Sequence, residues 1–196
     1  VLTNRNLGGY EVQGVGHGDL IQDNYGNWWL LHLGFRQSGQ WEAYHHLGRE
    51  VFLTPVIFGE DGWFTAGDNG RTTKSFEINY INNDVIQKEK KHYTFENTKW
   101  DNDWCYLRIP NKKNYKLDKN KLILKGTDIT LDDVDSPTFI GIRQRDFNAT
   151  ISCNVEITDG EAGITLYLDE NHHYDLAIRK CENGYEAIER LNIGDI

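Results

Sequence analysis

The sequence predicts an all-β chain. Three observations carry this: glycine, asparagine and aspartate recur every few residues, helical spacing of apolar residues is hard to find anywhere, and several segments alternate apolar with polar residues. In the first half, Leu20–Gln22 leads into a turn at Asn24-Tyr25-Gly26-Asn27, and Trp28–Leu33 follows as an apolar run broken only by His32. Such a run implies a strand covered on both faces. Val51–Phe58 is the next strand, and Pro55 within it requires an edge position or a bulge, because proline cannot donate to a ladder. Asp68-Asn69-Gly70 supplies turn residues with no apolar commitment and is read as the joint between residues 1–70 and 71–196.

Beyond the joint the alternation is cleaner. In Thr150–Ile157 the inward set is expected to be Ile151, Cys153, Val155 and Ile157. Ile164, Leu166 and Leu168 form the next inward face, Asp169-Glu170-Asn171 the turn, and Tyr174, Leu176 and Ile178 the returning face. Short alternating strands at this spacing predict a sandwich of antiparallel sheets for residues 71–196.

Bulk composition narrows the function classes. Thirty acidic against 21 basic residues give a formal charge of −9, which repels phosphate backbones and anionic lipid. The run Lys88–Lys91 is short and contains Glu89, so it reads as a solvated loop; neither nucleic acid nor membrane is expected as a partner. The three cysteines lack the paired spacing of a zinc site and are expected to be reduced and buried. No stretch has the length of a membrane-spanning helix. No charged-then-apolar leader precedes Val1, and the sequence has no methionine, which suggests a processed product or a piece of a longer protein; it leaves cytoplasmic and secreted locations open. Six tryptophans, ten tyrosines and eight phenylalanines suit both β-cores and stacking on sugar rings.

Two stretches stand out as candidate chemistry. In GHGDLIQDNYGNWWLLHLG, residues 16–34, His17 sits among Gly14, Gly16 and Gly18, where a backbone can pass close to a ligand or metal. The same histidine also reads as a buried ring satisfying backbone groups. In HHLGREVFLTPVIFGEDGWF, residues 45–64, Arg49 opens a strand where a guanidinium can fork onto two hydroxyls or a carboxylate, while neighbouring Glu50 offers a local ion pair instead. Both alternatives stay open on spacing alone. Asp132, Asp133 and Asp135 lack the loop pattern of a dedicated calcium site and read as a solvated turn. Tyr80, Trp100 and Trp104 could line a sugar platform but are expected to pack the sandwich.

These stretches carry a resemblance. LTNRNLGGYEVQGVGHGDLIQDNYGNWWLLHLG, the LGRE and DGW elements and GDNG resemble the last blade of the five-bladed β-propeller of glycoside hydrolase family 43, the β-xylosidases and α-L-arabinofuranosidases. SPTFIGIRQRDFNATISCNVEI and EAGITLYLDENHHYDLAIRK resemble the concanavalin A-like β-sandwich that follows it. The resemblance implies residues 1–70 as that blade and 71–196 as a sandwich lacking its final strands.

It further implies hydrolysis of terminal xylose or arabinose units of xylan-derived glycans with inversion and no organic cofactor. His17 matches the histidine near the sugar pocket, which in some members helps hold a calcium ion through water. Arg49 resembles the arginine that touches sugar hydroxyls, with Arg36 in LGFRQ as the weaker alternative, and Phe147 matches an aromatic on the pocket wall whose other reading is an ordinary core ring. The family's base aspartate, pKa-tuning aspartate and acid glutamate lie in earlier blades, so no catalytic carboxylate is expected here. Asp19 and Glu50 fall on no family catalytic position, and the chain alone is expected to be inactive. A non-catalytic carbohydrate-binding sandwich is the competing reading, and an exposed sheet edge favours a homo-oligomer.

Overall fold

The structure is a computed structural model that describes every residue except 6, 40–43, 81–89, 97–99, 101 and 195–196. It divides into two compact units, Val1–Gln87 with Gln144–Ala149, and Lys88–Arg143 with Thr150–Ile196. The first unit thus runs past the joint expected at 68–70. Asp68–Gly70 does form a tight turn closed by an Asp68–Arg71 bridge, but Phe76 then packs on Trp29 and Tyr80 on Tyr25. Those aromatic contacts keep the following segment with the first sheet.

That sheet is a four-stranded antiparallel meander of β1 (Val12–Gln22), β2 (Trp28–Arg36), β3 (Glu50–Phe58) and β4 (Phe64–Ala66). Asp23 builds the β1–β2 turn: its Oδ1 accepts the backbone N–H groups of Tyr25 and Asn27, both at 2.9 Å, and Gly26 takes the φ of 88° that the turn needs. The apolar side chains of Leu30, Val56 and Ala66 form the core, with Leu2 and Phe64 packed against it. The expected two-sided burial of β2 holds for Trp29, Leu30 and His32, whereas Leu31 stays 38% exposed. Pro55 lies opposite Trp29, just past the last β3–β4 pair, Val56 with Ala66. Its carbonyl accepts the Gly67 N–H at 2.8 Å. The missing N–H therefore falls at the end of the β4 ladder, effectively an edge.

A buried polar chain locks this meander. His32, 2% exposed, meets the Leu33 carbonyl through Nδ1 at 3.0 Å and the Thr72 and Thr54 hydroxyls through Nε2 at 2.8 and 3.0 Å. Asn4 donates to the Val12 carbonyl at 2.8 Å and accepts the Thr72 N–H at 3.2 Å, so the amino-terminal segment and Thr72 are both pinned to the strands.

The second unit carries β5 (Trp104–Cys105) paired with β8 (Gly141–Ile142), a single 3₁₀ turn at Lys112–Asn114, and a hairpin of β6 (Tyr115–Asp118) with β7 (Lys121–Leu124). Its largest sheet is the antiparallel meander β9 (Glu161–Asp169), β10 (His172–Cys181) and β11 (Gly184–Ile193). The β9–β10 turn falls at the expected place, where the Asp169 carboxylate accepts the Asn171 N–H at 2.9 Å. Trp104 packs on Tyr93 and Phe95, and Trp100 on Tyr106, within this unit as expected; Tyr80 instead belongs to the first unit.

Three expectations are corrected here. Thr150–Ile157 forms no strand, and Ile151 is 50% exposed; alternation marks a segment with two faces, but a strand also needs a neighbouring backbone to pair with. The inward face of β10 is His173, Asp175 and Ala177, not Tyr174, Leu176 and Ile178, and on β9 Leu166 and Leu168 of the expected inward set Ile164, Leu166 and Leu168 are likewise exposed. Burial of that polar face is tolerated because its charges are matched. His173 meets Asp175 Oδ1 at 2.9 Å and Asp132 Oδ1 at 3.0 Å, and Asp175 accepts from Arg190 at 2.9 Å. Leu166, Tyr174, Leu176 and Leu191 then share the opposite, exposed face. The cysteines are free, as expected, but Cys153 and Cys181 are exposed. Among the described residues no helix is long and apolar enough to cross a membrane.

Candidate functional site

The three expected site residues all lie in the first unit, on different pieces of chain. His17 occupies an irregularity of β1: the β1–β2 register slips between Gln13 and Gly16 and again between Gly16 and Asp19. His17 sits inside that second slip with φ 52°, a left-handed conformation that a non-glycine residue adopts at a cost of order 1–3 kcal/mol. Its side chain is exposed in this chain. Bulges re-aim side chains out of a regular sheet. Gly14, at φ 62°, is required because a Cβ there would lie 2.6 Å from the Phe35 ring.

Arg49 immediately precedes β3 and follows Gly48, whose φ is 73°. It is exposed and makes no ion pair or hydrogen bond among the described residues. The carboxylate beside it is directed elsewhere. Glu50 receives Arg36 in a fork, Nε to Oε2 at 2.8 Å and Nη2 to Oε1 at 3.0 Å. That hydrogen bond raises the Arg36 pKa against the opposing effect of burial. The local ion pair anticipated between Arg49 and Glu50 is thus replaced by one across the β2–β3 ladder, where Gly34 faces Glu50.

Phe147 is brought into the same unit by the segment 144–149, although its chain neighbours on both sides belong to the second unit. The ring is half-buried, with the Arg36 guanidinium carbon 4.9 Å from its centroid and the His46 ring 5.1 Å away, edge-on. Close by in sequence, Phe35 stacks on His45 at 4.2 Å. The structure therefore joins Phe147 with Arg36 and Glu50; among the described residues neither His17 nor Arg49 shares a hydrogen bond, ion pair or ring contact with them. An open hollow of about 460 Å³ is lined by Gln13, Gly14, Phe35 and Gln37 among others, and by none of the three expected residues.

Among the described residues no three histidine, cysteine, aspartate or glutamate side chains converge as metal ligands. The Asp132, Asp133 and Asp135 turn is structural: Asp132 serves His173 and Asn192, Asp133 caps Thr130, and Asp135 accepts the Ser136 N–H. Sequence reasoning missed Asp23. Burial works against its ionisation, but hydrogen bonds from Trp29, Asn27 and Tyr80 outweigh burial and hold its carboxyl far below the usual range. Its place before the Asn-Tyr-Gly-Asn turn was the available signal.

A four-stranded antiparallel meander in the first unit and antiparallel strands in the second define an all-β protein. The family described as "Beta xylosidase C-terminal Concanavalin A-like domain" matches residues 92–194, and "Glycosyl hydrolases family 43" matches residues 1–64. The chain belongs to glycosyl hydrolase family 43, and its fold is that of the last propeller blade followed by the concanavalin-like sandwich. It is 35% identical over 201 residues to the non-reducing end α-L-arabinofuranosidase of Bacteroides ovatus, covering 100% of this chain and 38% of that protein. It is 33% identical over 192 residues to a xylosidase/arabinosidase of Butyrivibrio fibrisolvens, covering 92% of this chain and 36% of the relative. The solved Bacteroides ovatus xyloglucan PUL GH43B superposes with a TM-score of 0.84 at 33% identity, over 100% of this chain and 40% of that one. The xylan β-1,4-xylosidase of Bacillus halodurans C-125, at 24% identity, 100% and 41% coverage and a TM-score of 0.76, shares the fold. The chain therefore spans well under half the length of the curated relatives it matches.

Proposed function

We propose that this chain is the part of a family 43 glycosidase that supplies one side of its sugar pocket, and that the enzyme removes terminal arabinofuranose or xylose units from plant glycans. The observation that carries the reading is the return of residues 144–149 into the first unit, which stands Phe147 beside the strand ends from which Arg36 and Arg49 project. Arg49, with no partner of its own among the described residues, donates to sugar hydroxyls; Phe147 presents a ring to the apolar C–H face of the sugar. His17, held in a strained bulge, supplies a further polar contact.

The reaction is single displacement with inversion. One carboxylate activates water while a carboxylic acid protonates the leaving oxygen, the two about 6.5–9.5 Å apart. Of the two carboxylates nearest the expected pocket, Glu50 is held by Arg36 and Asp19 is exposed on β1. By the resemblance both groups are expected in earlier blades, and the proposed hydrolysis calls for no organic cofactor.

The test is the anomeric form of the sugar first released from an aryl α-L-arabinofuranoside or aryl β-xyloside by the enzyme that contains this chain, followed by proton NMR. Release of the inverted anomer supports the reading; retention, or no release from either substrate, contradicts it. The 196-residue chain alone is expected to stay at background, and turnover lost on mutation of Asp19 or Glu50 would place a complete site within it. A free-standing binding module would instead retain xylan in a pull-down without hydrolysis.

A further inference from the structure

Three separate pieces of chain meet at Arg36, the last residue of β2. The guanidinium edge formed by Nε and Nη2 forks onto Glu50, the first residue of β3, at 2.8 and 3.0 Å. Its Cζ stands over the ring of Phe147 in segment 144–149, 4.9 Å from the ring centroid. The same ring meets the edge of His46 at 5.1 Å. His46 in turn pairs with Gln144 at 3.3 Å, and Gln144 donates to the Asp146 carbonyl at 2.7 Å, so the segment is folded back on itself around Phe147. The Arg36 and Glu50 side chains are 26% and 28% exposed, which removes much of the solvent competition that weakens surface pairs.

We propose that Arg36 is a positioning residue: gripped by Glu50, its guanidinium sets where the Phe147 ring stands, and so shapes the wall of the sugar pocket without touching sugar. The part about the wall rests on the pocket reading above. The same fork fixes the backbone at Glu50, the residue that follows Arg49, so one ion pair steadies two proposed sugar contacts. Lysine cannot replace this arginine, because an ammonium neither forks onto a carboxylate nor lies flat on a ring.

The test has two arms. In this chain, R36K and R36M should raise native-state tryptic cleavage after Arg145 at least tenfold, with cleavage at Lys112 and Lys113 within twofold of wild type and an unchanged far-ultraviolet spectrum. Unchanged cleavage after Arg145 overturns the proposal. If either variant loses the native spectrum, E50Q, which keeps shape but weakens the fork, should still raise that cleavage about threefold or more, and no rise overturns it.

In the enzyme containing the chain, R36K should lower kcat/KM for an aryl pentoside about tenfold, mainly through KM. The R36K/F147A double variant should be within twofold of F147A alone, since both remove the same wall. Multiplying losses would mean that Arg36 contacts sugar directly, which overturns the positioning role. Faster cleavage with no kinetic effect of R36K or F147A would overturn the pocket reading while leaving the grip of Arg36 on Phe147 in place.

Discussion

Replacing Thr72 and Thr54 with valine, singly and together, tests how the first unit is held. His32 is 2% exposed, and its Nδ1–H donates to the Leu33 carbonyl, which in the neutral ring leaves Nε2 as the acceptor. Its donor is the Thr72 hydroxyl at 2.8 Å, with the Thr54 hydroxyl at 3.0 Å in reserve and 3.3 Å from Thr72. Valine keeps the shape of threonine but donates nothing. T72V should cost about 1 kcal/mol, one net hydrogen bond, because Thr54 turns to serve His32. T54V should cost about as much or less. The double variant leaves a buried acceptor unsatisfied, at about 1–3 kcal/mol beyond the bonds lost, so its total should be about 3–5 kcal/mol and exceed the sum of the singles. Urea unfolding of the four proteins, with the slope checked for constancy, measures this cycle. Strict additivity, or a double variant within 0.5 kcal/mol of wild type, a bound of about half a net hydrogen bond, would refute the reasoning.

Three further outcomes are expected. D23N should lower the melting temperature at pH 7; because the folded carboxyl titrates below its unfolded value near 3.9, the advantage of Asp23 is present above that pH and lost below it, so the two melting curves should converge in acid. D175A removes the acceptor of both His173 and Arg190 from a nearly buried position and should cost about 3 kcal/mol in urea unfolding, a loss under 1 kcal/mol arguing that the network is not stabilising. The exposed face of Leu166, Tyr174, Leu176 and Leu191 should make the isolated chain self-associate in sedimentation runs, with L176K/L191E shifting it to monomer; a wild-type chain that is monomeric at high concentration would contradict this.

The hairpin of β1 and β2 was legible in the sequence, because Asn24–Asn27 is a turn signal and the apolar run after it allows little else. What periodicity could not supply was the identity of the buried face of β10. Hydropathy assigns Tyr174 and Leu176 inward, and only the matched set of Asp132, Asp175, Arg190 and Asn192 around His173 makes the polar face the inner one. Apart from Asp175, two residues along the same strand, those partners come from distant positions. The site shows the same division: His17 stood out through its flanking glycines and Arg49 through LGRE. Which arginine Glu50 pairs with turned on cross-strand register, which sets Gly34 opposite Glu50 and delivers that carboxylate to Arg36. Segment 144–149 reaches the first unit across the intervening chain, a non-local contact that no local pattern encodes.

The most direct test of the proposed pocket is kcat/KM for R49A in the enzyme that contains this chain. Arg49 is exposed and unpaired among the described residues, so removing it should leave the melting temperature almost unchanged. Loss of a charged donor to sugar hydroxyls is worth about 2–3 kcal/mol in the transition state, a fall of about 30- to 150-fold in kcat/KM. A stable variant with that fall is the predicted result, and one within threefold of wild type, under about 0.7 kcal/mol, would contradict the assignment of Arg49 to the sugar.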